Sequence, residues 1–143
     1  MRDEHEALRT AEFGFPGDLR DRLVRAILDG EKTATASLLL EYELDPGERL
    51  PAVGERSAVV DSAGRPVAVI ETTEVQVVPF QEIDAEFAGN EGEGFESVTD
   101  WRRAHVGFWE SEEMKAALGR PDFRVDDHTM VVAERFRLVE RLD

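Results

Sequence analysis

The run from Pro66 to Val77 constrains the fold of this chain more than any other feature. It has period-two character, the mark of a strand with one buried face. Val67, Val69, Thr73, Val75 and Val77 fall on one side, and Glu71 interrupts that side. A barrel-edge or bulge position accounts for Glu71 more simply than catalysis does. Ser57 to Asp61 reads as a shorter strand, joined to the long one by a hairpin turn at Ser62-Ala63-Gly64-Arg65. A last strand runs from Thr129 to Val139, with Met130, Val132, Phe136 and Leu138 inward and Arg135 and Arg137 outward.

Helical spacing fills the remainder. Phe15-Pro16-Gly17-Asp18 reads as a turn with Asp18 as helix cap. Leu19, Leu23, Val24, Ile27 and Leu28 then form an apolar stripe with arginines opposite, and Gly30 closes the helix. Leu38-Leu39-Leu40 continues an apolar run that Leu44-Asp45-Pro46-Gly47 breaks as a loop. A short helix is expected over Phe80–Ala88 and an acidic loop over Gly89–Gly94. A longer helix, Val98–Phe108, carries Val98, Trp101, His105 and Phe108 on one face, and Gly119-Arg120-Pro121-Asp122 ends the segment after it. Residues 1–12 are polar, a frayed lead-in or a short helix. Strands in the middle and at the end, with helices before and between, give an α+β class.

Composition narrows the function. A chain of 143 residues with 41% hydrophobic content is one globular domain with a real core. Without cysteine it has no disulfide, thiolate metal site or cysteine nucleophile. No apolar run approaches the roughly 20 residues that cross a bilayer, and Met1 to Glu6 lacks the apolar core of a signal peptide. A cytoplasmic protein is expected. The net charge of −15 repels long polyanions unless arginines gather on one face. Arg20, Arg22, Arg25, Arg102 and Arg103 are the candidates for such a rim. A small neutral ligand meets no such obstacle.

The chemistry concentrates in Gly30-Glu31-Lys32-Thr33-Ala34-Thr35-Ala36-Ser37. In an extended segment Thr33, Thr35 and Ser37 project to one face and Lys32 to the other. A helix-to-strand corner breaks that alternation and lets Lys32 fold back over Thr35. An amine beside a hydroxyl is one way to activate a weak oxygen nucleophile. Lys32 and Lys115 are the only lysines among 17 basic residues, so arginine was the chain's habitual alternative at position 32. Arginine cannot release its proton near neutrality, whereas a desolvated lysine can. Ordinary lysine titrates near pH 10.4, so a base working at neutrality needs its pKa lowered by about 3, roughly 4 kcal/mol. Burial supplies that and a nearby carboxylate opposes it; a lysine kept charged stabilises an oxyanion instead.

This stretch fits the G-x-K-x-x-T-x-[R/S] signature and resembles the ASCH domain family, a branch of the PUA-like fold. Leu39-Leu40-Glu41-Tyr42-Glu43, Pro51-Ala52-Val53-Gly54-Glu55, Val78-Pro79-Phe80, Asn90-Glu91-Gly92-Glu93-Gly94 and Trp101-Arg102-Arg103-Ala104-His105, then Phe108-Trp109, extend the resemblance from about Phe13 to Val139. The resemblance implies a small, strongly bent β-barrel flanked by helices, with one domain over residues 13–143. It is similar to the small N4-acetylcytidine amidohydrolases, which implies a metal-independent deacylation without cofactor, giving cytidine and acetate. Lys32 then resembles the proton acceptor and Thr35 the nucleophile. Glu91, in Ala88-Gly89-Asn90-Glu91-Gly92, matches the acidic residue that protonates the leaving nitrogen or orients the amide, with Glu93 as the alternative.

Thr33, Ser37, Tyr42, Glu93, Trp101 and His105 are the further substrate-binding candidates. Trp101, Trp109 and Tyr42 either stack on a flat base or pack the core, and His105 supports from an apolar helix face. Ser37 stands where other branches carry arginine, which removes a guanidinium that would bind phosphate or carbonyl. His5, His105 and His128 lack metal-ligand spacing, and no glycine-rich phosphate loop is present. Two other readings compete: an RNA-binding or RNA-cleaving module with Lys32 on a phosphate, and a non-catalytic sensor of a nucleotide-like ligand.

Overall fold

The computed structural model describes residues 8–44 and 48–142. Its sheet contains β1 (Arg9–Ala11), β2 (Ala34–Leu38), β3 (Arg56–Val60), β4 (Pro66–Pro79) and β5 (Met130–Arg141), in the order β1-β3-β4-β5-β2. β1 runs parallel to β3, and every other pairing is antiparallel. Among the described residues five α-helices complete the α+β arrangement: α1 (Asp18–Leu28), α2 (Leu39–Leu44), α3 (Ala85–Asn90), α4 (Val98–Trp109) and α5 (Glu112–Leu118). No described helix is long and apolar enough to cross a membrane.

β4 and β5 pair from Ala68↔Arg141 to Pro79↔Met130 and form the spine of the sheet. Two register shifts, at Val69/Ile70 and Thr72/Glu74, bend it. Glu71 lies between them but is neither an edge nor a bulge residue: it is in register with Arg56 and Arg137 on the two neighbouring strands, and those arginines pair with its carboxylate outward, which accounts for a charge in the run. The shifts also reorder the faces. Ala68, Ile70 and Thr72 are buried, whereas Thr73 and Val77 of the expected apolar face are exposed. Met130 is likewise exposed, and Val131 and Ala133 are buried beside Val132 and Phe136 because both sides of β5 are covered.

Each side has its own core. On one, Ala34, Leu38, Val131 and Ala133 of the sheet pack against Phe87, Trp101, Trp109, Met114 and Leu118 of α3, α4 and α5. On the other, Val59, Ala68, Ile70 and Phe136 receive Leu23, Val24 and Ile27 of α1, with Phe13. Burying an aliphatic or aromatic side chain this fully contributes about 1.5–3 kcal/mol, so α1 is fixed firmly enough to position the corner at its C-terminus.

Several local expectations change. Residues 9–11 form β1 and not a frayed lead-in, because they gain a ladder with β3; residues 1–7 lie outside the described part. Asp18 is the first helical residue, and Gly17 holds the cap position without a side-chain bond. Leu39–Leu44 is helical: the Glu41 carboxylate accepts the Leu38 amide at 2.8 Å, satisfying the start of α2 from within. Residues 45–47 of the expected loop are outside the described part. The Phe80–Ala88 helix divides into a 3₁₀ turn, Phe80–Glu82, and α3, whose start is capped by Asp84 accepting from Phe87 at 2.9 Å.

Candidate active site

Lys32 reaches its place through the end of α1. Gly30 takes φ 79°, and the amides of Glu31 and Lys32 both donate to the Ala26 carbonyl at 2.9 and 3.1 Å. The corner therefore breaks strand alternation. Lys32, Thr35 and Ser37 all line one cavity of about 1130 Å³ between α1, the sheet and α4. Thr33 turns outward instead, exposed, with its hydroxyl 3.4 Å from the Asn90 carbonyl. It does not join the other candidates.

A second segment closes on the same corner. The Thr33 amide donates to the Asn90 carbonyl at 2.7 Å. Gly92 (φ 66°) lies so close that a Cβ there would stand 2.2 Å from the Glu31 carbonyl oxygen. That approach brings in Glu91 and Glu93. The Lys32 ammonium, 3% exposed, donates to the Glu93 carboxylate at 3.1 Å and to the Glu91 carbonyl at 3.3 Å. Lys32 thus bonds Glu93 and the Glu91 carbonyl, not Thr35, and of the three N–H donors of an ammonium one remains.

Glu91 is 1% exposed. Its Oε2 accepts the Trp101 indole N–H at 3.0 Å and lies 3.0 Å from His105 Nε2. His105 Nδ1 lies 2.9 Å from the Trp101 carbonyl, which only accepts, so Nδ1 donates there; donation from Nε2 to an ionised Glu91 then requires hydrogen on both ring nitrogens. Burial opposes charge on Glu91. The His105 hydrogen bond, the Lys32 charge and the Trp101 N–H outweigh it and hold Glu91 below the usual carboxylate range. The other oxygen, Oε1, is buried without a partner. Glu93 moves the opposite way: burial, reinforced by Glu91, raises it despite Lys32.

The aromatic candidates divide. Trp101 is fully buried, its N–H taken by Glu91 and its face by the His105 ring at 4.1 Å, so it shapes the site without offering a face to a ligand. Tyr42 hydroxyl lies 3.2 Å from that of Ser37 on the cavity wall, and burial raises its pKa. Flat apolar surface comes instead from Phe15 and Phe108, 5.7 Å apart, and from Phe95 beside His105. Glu91, Glu93 and His105 place ligand atoms within 4.8 Å of one another, a metal-capable group that histidine spacing did not foretell. Lys32 already supplies positive charge there. Of the arginines expected at a rim, Arg20, Arg22 and Arg25 border the cavity, Arg20 buried and donating to the Gly14 carbonyl, whereas Arg102 and Arg103 turn to the Gln81 carbonyl and Asp100.

Sequence reasoning passed over Glu134. It is the register partner of Thr35 across β2 and β5, and its Oε2 accepts the buried Thr72 hydroxyl at 2.7 Å. Burial, with too little from Thr72 to offset it, raises its pKa. The signal was present: Glu134 sits between Val132 and Phe136 on the inward side of β5.

The comparisons agree with this architecture. A family model of the ASCH domain matches residues 10–140. The chain belongs to the ASCH domain family. This ASCH domain is similar to the crystal structure of a protein from Enterococcus faecalis V583, with TM-score 0.79 and 27% identity over 93% of this chain and 77% of that one. It is similar also to an ASCH domain from Lactobacillus crispatus JV V101, with TM-score 0.77 and 28% identity over 94% of this chain and 81% of that one. No protein of curated function matches. An ASCH domain is a PUA-like module suited to RNA or nucleotide ligands and compatible with hydrolase chemistry.

Proposed function

We propose that this ASCH domain is a metal-independent amidohydrolase that deacylates a modified nucleoside of the N4-acetylcytidine type. The observation that carries the reading is the convergence of Lys32, Thr35 and Glu91 on one aromatic-walled cavity, from segments 59 residues apart. Thr35 is the nucleophile. Among the described residues its hydroxyl makes no hydrogen bond, so it is available to a carbonyl carbon.

Lys32, tied to Glu93 as an ammonium, faces the oxyanion with its remaining donor. That choice between the two roles open to Lys32 rests on the ion pair, because a neutral amine would forfeit it. Glu91 orients the scissile amide: ionised, with Oε1 unpartnered, it is an acceptor for the substrate N–H. Phe15, Phe95 and Phe108 offer the faces on which a base stacks. The −15 charge weighs against RNA as the ligand.

The test is chromatographic detection of cytidine after incubation with N4-acetylcytidine, beside Lys32→Ala and Thr35→Ala. Release by the wild type and loss in both variants is the expected result. Absence of turnover at high enzyme concentration, between about pH 6 and 9, would sink the substrate. Binding of nucleosides without turnover would favour a sensor, and RNA cleavage the nuclease reading.

A further inference from the structure

We propose that Glu134 is the general base that takes the Thr35 hydroxyl proton. The inference rests on Thr35 being the nucleophile and supplies the proton acceptor that Lys32, engaged by Glu93 and the Glu91 carbonyl, does not provide.

Placement carries the assignment. Thr35 and Glu134 are direct partners in the antiparallel β2–β5 ladder. Directly opposed side chains share a face with Cβ atoms about 4.5–5.5 Å apart; with the carboxylate turned to Thr72 and no direct hydrogen bond to the Thr35 hydroxyl, one water relays the proton. Both residues line the cavity. The Thr72 hydroxyl, on a residue 2% exposed, donates to Oε2 at 2.7 Å and fixes the carboxylate from the far side. Among the described residues Oε1 receives no hydrogen bond and no cation pairs with Glu134. Of the charged groups around it, Arg9 favours its ionised form and Glu55 opposes it, each by less than burial does. A half-buried carboxylate with one neutral donor is a stronger base than one neutralised by an ion pair, and its raised pKa accords with that.

The steps balance. The Thr35 Oγ–H bond breaks as Oγ bonds the acyl carbon; the proton goes to Glu134 and the carbonyl electron pair to the oxygen facing Lys32. Collapse breaks the C–N bond, and the proton passes from Glu134 to the departing amine. Water then donates a proton to Glu134, bonds the acyl carbon and displaces Thr35, whose oxygen recovers it.

The experiment reads Thr35 itself. A fluorophosphonate, which captures activated hydroxyls, is reacted with wild type, Glu134→Gln and Thr72→Val, and the adduct at Thr35 is timed by mass spectrometry across pH. Gln keeps the Thr72 hydrogen bond, and thermal melts confirm folding. Glu134→Gln is expected to slow labelling about 100-fold or more and abolish the acid limb of the profile. Thr72→Val is expected to move that limb to higher pH, since it removes a donor to the charged form; a structural role would move neither. Labelling of Glu134→Gln at the wild-type rate with its acid limb intact, or no labelling of Thr35 in the wild type, overturns the proposal. Glu134-dependent labelling without N4-acetylcytidine turnover would sink the substrate and leave the base standing. Equal turnover by wild type and Glu134→Gln would do the reverse.

Discussion

Glu91 and Glu134 are carboxylates on the same cavity, the first buried and the second half-buried, yet their acidities move in opposite directions. Glu91 is met by an indole N–H, an imidazole and a nearby ammonium. Glu134 is met by one threonine hydroxyl. Burial raises both; the number and charge of the donors decide the outcome. One wall of the cavity is thus saturated with compensating charge and suited to hold and orient. The other is sparsely compensated and suited to accept a proton.

Removing a partner from the saturated wall should have the largest effect. Glu91→Ala leaves the Trp101 N–H and His105 without their acceptor and Lys32 with less compensation, and should cost about 3–5 kcal/mol in denaturant unfolding. Trp101→Phe, which deletes a single charge-assisted hydrogen bond, should cost about 1.5–3 kcal/mol by the same measurement. On the sparse wall the sign should invert. Glu134 has a folded-state pKa above its unfolded one, so its ionised form opposes folding at neutral pH and that cost fades as pH falls through the folded value. Glu134→Gln should therefore raise Tm at neutral pH, and the gain should disappear on acidification; a lowered Tm at neutral pH would break the comparison.

Glu91 must show the opposite dependence. Its folded pKa is depressed, so its contribution is present above the unfolded value of about 4.3 and lost as pH falls through the folded one. The stability gap between wild type and Glu91→Gln should narrow in acid. The smallest effect belongs to Glu71→Gln. Its partners Arg56 and Arg137 are more than half exposed, and melts should not distinguish the variant from wild type.

How far the sequence was legible depends on the range of each interaction. That Lys32 and Thr35 line one cavity was legible because corner and hydroxyls are contiguous; Glu91, on the same cavity, was a candidate because its own segment carries a pattern. Thr33, three residues from Gly30, was misjudged since the direction of one side chain at a corner depends on Asn90, 57 residues away. Trp101 was open to stacking or core packing, and its burial with the N–H on Glu91, ten residues away, decides for packing. Glu134 could be placed inward from Val132 and Phe136, but its partner Thr72, 62 residues distant, is set beside it only where β4 shifts register. α2 spans six residues, too few for a helical period to declare itself.

The backbone contact between Gly92 and Glu31 sets when this site comes into being. Lys32 and Glu91 meet only after a loop of 59 residues has closed, a long-range event that costs entropy before any contact returns it. Helices and the β3–β4 hairpin can form earlier from local contacts. Formation of the Lys32–Glu91 contact is therefore a readout of completed folding, and a refolding chain should recover its helical signal before that contact.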